Sequence, residues 1–195
     1  KKKKITGGGI NRLRDALADK NHQLARAVEQ VREMAIRDDL TGLFNRRHLL
    51  EVLERQRALF ARKGLSFAIC YVDLDHFKQI NDRHGHDWGD RVLRRFSALA
   101  LAGMRDGDYF GRLGGEEFLL ILPQSNEQGA LRVAERLRER WREESFGQEG
   151  GPNAVSLSVG VAACQEDETV DELLNRADQG LYRAKSGGRN QSRVA

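Results

Sequence analysis

Two short stretches place carboxylates where neither folding nor solubility asks for them. In Val72-Asp73-Leu74-Asp75 the acids alternate with apolar residues at the end of an apolar run. In Gly114-Gly115-Glu116-Glu117 two adjacent glutamates follow two glycines and precede a second apolar run, Phe118 to Leu122. On a strand, Asp73 and Asp75 share one face, opposite Val72 and Leu74. Clustered carboxylates repel unless they share a cation or a proton. A donor set of hard oxygens with little nitrogen or sulfur favours Mg²⁺ or Mn²⁺. Such an ion clamps phosphate oxygens and sharpens a nucleophile, as phosphoryl and nucleotidyl transfer require. The glycines suit the same chemistry, because a missing Cβ lets a phosphate approach the backbone. On spacing alone, a solvated hairpin with a charged tip competes with this reading. His76, His84 and His86 raise the question of zinc, but no cysteine accompanies them and their neighbours are hard acids, so we read no zinc site.

The elements that must position these acids follow from periodicity. Residues 10–36 read as one helix: Ile10, Leu17, Leu24 and Val31 recur every seven residues, and Leu13, Lys20, Ala27 and Met34 fill the second seam position, with one polar breach at Lys20. The narrow stripe and charged flanks favour a coiled coil that pairs two chains over a helix lying on its own domain. Residues 1–9, KKKKITGGG, read as a flexible or artificially appended tail. Asp38, Thr41, Gly42 and Asn45 suit turns and caps. We expect a helix over 46–63, a strand over 66–75, a helix over 88–103, and strands over 109–113 and 118–122 joined by a two-residue turn at Gly114-Gly115. A helix over 127–142, a strand over 154–163 and a last helix to about residue 185 follow, the last opened by a capping box, Thr169 to Glu172. After residue 45 the order is αβαββαβα. Its inner βαββαβ is the ferredoxin-like arrangement, an α/β (α+β) fold. There the first strand lies beside the central hairpin strand, and the turn delivers Glu116 and Glu117 next to Asp73.

RLGGEEF, residues 112–118, resembles the signature of the GGDEF family, the diguanylate cyclases, in its GGEEF form. DDLTGLFNRR (38–47), VDLDHFKQINDRHGHDWGD (72–90), SVGVA (158–162) and ADQGLYRAKSGGRN (177–190) resemble further blocks of that family, in the family's order. Together they span nearly all of the chain after the first helix. The resemblance implies a core of the nucleotidyl-cyclase and polymerase-palm type, and an enzyme that joins two GTP molecules into cyclic di-GMP with release of two pyrophosphates. It implies that Asp73, the Leu74 backbone carbonyl and Glu116 hold Mg²⁺ (or Mn²⁺) and that Glu117 completes the acidic site. One of the two glutamates would deprotonate or polarise the attacking 3′-hydroxyl.

Asn81 and Asp90 match the family's guanine readers: an amide donates to O6 and a carboxylate accepts N–H groups. Alone, they would be a turn former and a helix cap. Lys78, Lys185 and Arg189 match phosphate contacts, helped by the backbone amides of His76 and Phe77 and by Gly114 and Gly115. Arg105 and Asp108, in RDGD, match an RxxD product-inhibition site with Arg136 as a third member. Arginine suits both phosphate forks and stacking on guanine. One such domain holds one GTP, so the resemblance implies a homodimer of half-sites, brought together by the coiled coil and governed by an upstream sensor domain.

Composition removes other classes. The formal charge of +4 is accounted for by the four leading lysines, so the body is neutral and lacks the footprint of a nucleic-acid binder. Cys70 and Cys164 sit in apolar runs with no CxxC, which we read as buried, reduced thiols of a cytoplasmic protein. No apolar stretch approaches the roughly 18 residues that suggest a membrane span. Trp88 and Phe118 read as packing residues. The rivals to a cyclase are a catalytically weak module that binds GTP or cyclic di-GMP, a transferase using ATP, and a dimerisation scaffold, which would leave the acids unexplained.

Overall fold

The computed structural model describes residues 7–146, 151, 152 and 154–195, with side chains from residue 12 onward. It divides at Arg37/Asp38 into two units. The first is one helix, α1 (Gly7–Ile36), which begins three residues before the expected start. Residues 1–6 of the expected tail, and the Ile10 side chain of the heptad seam, lie outside the described residues. At 1.5 Å per residue α1 is about 45 Å long. Leu13, Leu17, Leu24, Val28, Val31 and Met34 all expose most of their side chains.

The second unit is built on a six-stranded sheet, β1 (Phe44–Asn45), β2 (Phe67–Leu74), β3 (Tyr109–Gly114), β4 (Glu117–Pro123), β5 (Leu157–Ala163) and β6 (Ser192–Val194), in the order β1-β3-β4-β2-β5-β6. The helices are α2 (Arg46–Lys63), α3 (Phe77–His84), α4 (His86–Leu101), α5 (Glu127–Arg142) and α6 (Val170–Ser186). The inner order β3-β4-β2-β5, with β2 antiparallel to both β4 and β5, is the ferredoxin-like arrangement.

Period-two alternation along β2 explains the layers. Ala68, Cys70, Val72 and Leu74 join the core under α4 and α5, with Val92, Phe96, Ala134 and Trp141. Phe67 and Ile69 join the core under α2 and α6, with Leu49, Leu53, Leu173 and Ala177. Both cysteines are free and buried. Among the described residues no helix is long and apolar enough to cross a membrane.

Helices α2 and α5 occupy the expected residues, capped by the Asn45 side chain on the His48 N–H and the Asn126 side chain on the Gly129 N–H. The Thr169–Glu172 capping box is formed and opens α6. Several expectations need correction. Strand β2 stops at Leu74, so Asp75 lies beyond it, and β5 starts at Leu157 rather than at 154. Helix α3 was not expected: eight residues are too few to show a helical period, and Gly85 at φ +88° separates it from α4, which itself starts at His86 and stops at Leu101. The edge strands β1 and β6, of two and three residues, carry no periodic signal. The hairpin turn is displaced by one residue. Gly114 still pairs with Glu117, after a register shift between Arg112 and Gly114, so the two turn residues are Gly115 and Glu116. Gly114 at φ +150° and Gly115 at φ +52° supply the backbone conformations the turn needs, and a Cβ on either would meet nothing within 4 Å, so the space above the turn is open.

Candidate active site

The acids meet where β2, β4 and α6 come together. Sheet register pairs Asp73 with Glu117 on one side and with Ser158 on the other. Phe118 faces the opposite side of the sheet, fully buried with its ring 4.8 Å from that of Phe96, and this packing fixes the side on which Glu117 stands. Glu116 lies in the turn, where its backbone carbonyl accepts the Leu74 N–H at 3.3 Å. Lys185, in the last turn of α6, places its ammonium 2.8 Å from Asp73 Oδ2. Helix α6 comes that close because Gly160 on β5 lacks a side chain: a Cβ there would lie 1.9 Å from the Ala177 carbonyl oxygen.

The electrostatics follow from this crowding. Burial pushes the Asp73 carboxyl up, Lys185 opposes the rise, and the charges of Glu116 and Glu117 add to it, leaving a value of about 6. Tyr71, two residues earlier on the same face, donates its hydroxyl to Glu117 Oε2 at 3.4 Å. Burial, then the Glu117 charge, push that phenol up to about 12.

Among the described residues no three acidic, histidine or cysteine side chains converge into a ready metal cage. The donors present still suit a hard cation. They are two paired carboxylates, a third in the turn and the Leu74 peptide beside it, and Mg²⁺ is commonly held by one or two carboxylates with substrate phosphates completing its shell. Burial first, and then the neighbouring glutamates, disfavour the charged Asp73 carboxylate, and the Lys185 ammonium offsets part of that. Lys185, expected on a phosphate, is thus found on Asp73.

A tie that the sequence reading missed holds the hairpin from behind. Arg112 donates through Nε to the Gly115 carbonyl at 2.9 Å and through its guanidinium to Asp38 at 3.3 and 3.4 Å. Burial raises the Asp38 carboxyl, but the Thr41 hydroxyl and N–H together with Arg112 outweigh it, and it sits below the usual carboxylate value. The signal available in sequence was an arginine two residues before the glycines and an acid in a Thr-Gly turn, with nothing to pair them.

The other expected residues fall into two groups. Asn81 on α3 and Asp90 on α4 sit on adjoining helices. The Asn81 side-chain oxygen is buried without a partner, and a Cβ on Gly89 would lie 2.0 Å from it. Asp90 has a distant ion pair with Arg94, at 3.8 Å. His76 heads α3 in the left-handed region at φ +58°. The amides of the first helical turn, from Phe77 and Lys78, have no acceptor within the helix. Arg189 and Asn190 also take positive φ, 63° and 45°.

The second group stands at the far end of β4, about 20 Å from Glu117 at roughly 3.4 Å per residue. There Arg105 holds Asp108 at 2.9 Å and donates to the Pro123 carbonyl at 2.6 Å. Arg136 donates to the Gly103 carbonyl at 3.3 Å. All three line one cavity of about 590 Å³, joined by Arg132, which the sequence reading did not single out.

Residues 35–191 match the family model described as the GGDEF domain of diguanylate cyclases. The chain is 39% identical over 168 residues to the diguanylate cyclase DgcP of Pseudomonas aeruginosa, covering 86% of this chain and 25% of that protein. It is 41% identical over 161 residues to the response regulator PleD of Caulobacter vibrioides, covering 81% and 36%. The chain therefore spans about a quarter to a third of the length of these relatives. The coiled coil and GGDEF domain of DgcB from Caulobacter crescentus, solved in complex with cyclic di-GMP, superposes with a TM-score of 0.86 at 30% identity, covering 95% of this chain and 98% of that one.

Proposed function

The chain belongs to the GGDEF family, and from that premise we propose that it is a diguanylate cyclase, condensing two GTP into cyclic di-GMP and two pyrophosphates with Mg²⁺ or Mn²⁺. The observation that carries the proposal is the pairing of Asp73 with Glu117 beside a glycine turn open above its backbone, with the Lys185 ammonium on Asp73. Asp73, the Leu74 carbonyl, Glu116 and Glu117 would hold the metal ion, which when bound neutralises phosphate charge and lowers the pKa of the attacking hydroxyl.

The chain's own groups do the rest. The open turn at Gly114 and Gly115 admits the triphosphate. The amides of His76 and Phe77, with Lys78, Lys185 and Arg189, bind its oxygens. Asn81 and Asp90 select guanine, the amide by donating to O6 and the carboxylate by accepting N–H. Glu116 or Glu117 takes the proton of the 3′-hydroxyl. Lys185, whose ammonium lies 2.8 Å from Asp73 Oδ2, stands within the acid cluster and would share its charge between that carboxylate and a substrate phosphate.

One domain binds one GTP, so the reaction needs two copies facing each other, and holding both reactants in attack geometry is worth about 7–11 kcal/mol. The exposed stripe of α1 would pair the chains, under control of an upstream sensor, in the cytoplasm. Arg105, Asp108 and Arg136 would bind cyclic di-GMP and restrain the domains, giving product feedback.

The test is pyrophosphate release from GTP by wild type, Asp73→Asn and Arg105→Ala. Asp73→Asn is expected to lose at least about 100-fold in rate, in line with loss of a metal's charge stabilisation. Arg105→Ala is expected to keep its initial rate and lose product inhibition. Wild-type turnover equalled by Asp73→Asn would overturn the site.

A further inference from the structure

Asp75 is the one acid of the two opening stretches that the proposed chemistry leaves without a role. Its side chain is 3% exposed, just past the end of β2. Oδ2 accepts the Ser156 hydroxyl at 2.6 Å and the backbone N–H of Asn190 at 3.1 Å, and Oδ1 accepts the Ser158 hydroxyl at 2.7 Å. The Asp75 N–H donates in turn to the Ser156 carbonyl at 2.9 Å. One carboxylate therefore joins the end of β2, the approach to β5 and the turn at residues 189–190.

That turn needs holding. Arg189 and Asn190 both stand at positive φ, a conformation that non-glycine residues adopt only where the surroundings hold it. Besides Asp75, the Arg189 N–H donates to the Ala184 carbonyl at 3.0 Å, and Arg138 donates to Asn190 Oδ1 at 3.1 Å. Arg138 is fixed in its turn by Glu135 at 2.7 Å.

We infer that Asp75 is a positioning residue that fixes the 189–190 turn and so aims Arg189 at the substrate phosphates, and that it is not a ligand of the metal ion. Both of its oxygens are engaged by donors, and the side chain is sealed from solvent. The link to Arg189 rests on the cyclase reading; the clamp itself does not.

Asparagine separates the two roles. Its amide oxygen can accept from Ser156 and the Asn190 N–H, while its amide nitrogen donates to the Ser158 hydroxyl, which accepts as readily as it donates. A clamp survives that exchange; a metal ligand does not. In the metal-free protein, hydrogen exchange at the Asn190 amide is expected to accelerate at least about tenfold in Asp75→Ala and to stay near wild type in Asp75→Asn. With GTP, Asp75→Asn is expected to keep kcat, KM and the Mg²⁺ requirement within about threefold. Asp75→Ala is expected to raise KM for GTP about tenfold, with no further rise when Arg189→Ala is added, as shared action predicts.

An Asp75→Asn protein that needs at least about tenfold more Mg²⁺, or that exchanges its Asn190 amide as fast as the alanine variant, overturns the inference. So do alanine effects that multiply. If Asp75→Ala does not fold, the exchange and Mg²⁺ dependence of Asp75→Asn decide alone. A wild-type protein without GTP turnover refutes the cyclase reading, and amide exchange still judges the clamp.

Discussion

Asp73 carries the site's main electrostatic tension. Its folded value, raised to about 6 from an ordinary 3.8, means that the native protein holds a proton the unfolded chain has already lost. Stability is therefore withdrawn as pH rises from about 4 through about 6. Asp73→Asn mimics the protonated form at every pH. In metal-free protein its melting temperature is expected to match wild type near pH 4 and to exceed it near pH 7, as thermal melts in chelator would show; a difference independent of pH contradicts the assignment. Gly89 offers a test of a different kind. Glycine to alanine inside a helix ordinarily adds about 1 kcal/mol of stability. Here the new Cβ would meet the Asn81 oxygen at 2.0 Å and the Phe77 ring at 3.0 Å. Gly89→Ala is expected to gain no stability and to raise KM for GTP about tenfold with kcat little changed, read from steady-state kinetics.

Strand β2 supplies Asp73, and the hairpin and helix α6 bring Glu116, Glu117 and Lys185 to it. Arg112 ties the hairpin turn to Asp38. Arg112→Ala removes hydrogen bonds to a charged group worth about 1.5–3 kcal/mol, and is expected to lower both the melting temperature and kcat. Gly160→Ala would drive a Cβ into the Ala177 carbonyl and push α6 off the sheet. Overpacking of this kind costs about 1–3 kcal/mol, and Lys185 would withdraw from Asp73 with the helix, so chemical denaturation should show the loss and the Asp73 titration should shift. Much at this level was legible in sequence. Helices α2 and α6 announce themselves by their caps, Asn45 and the Thr169–Glu172 box, and the apolar runs of β2 and β4 by composition. What was not legible is short or long-range. Helix α3 is eight residues ended by a glycine. The turn slips by one because Gly114 stays paired through a bulge, which composition cannot show. The Lys185–Asp73 and Arg112–Asp38 pairs join residues far apart in the chain, and no local pattern predicts a partner.

In the proposed reaction, pairing of two copies joins the site to the chemistry. Helix α1 presents Leu13, Leu17, Leu24, Val31 and Met34 to solvent, an apolar seam that a second chain would cover. Pairing raises the effective concentration of one domain around the other to the millimolar range for short linkages. Removing residues 1–36 is therefore expected to cut specific activity at nanomolar protein and to restore it in part at high micromolar protein. Equal specific activity at every dilution would take the helix out of the mechanism. In the proposed reaction two copies, each with the Asp73–Glu117 site, join two GTP. This is tested most directly by incubating the protein with GTP and Mg²⁺, alongside Glu116→Gln and Glu117→Gln, and identifying the product by mass. Cyclic di-GMP with two pyrophosphates per product is expected from wild type, and at far lower rate from either variant. No cyclic dinucleotide from wild type at dilute and concentrated protein alike, or undiminished product from both glutamine variants, would contradict it.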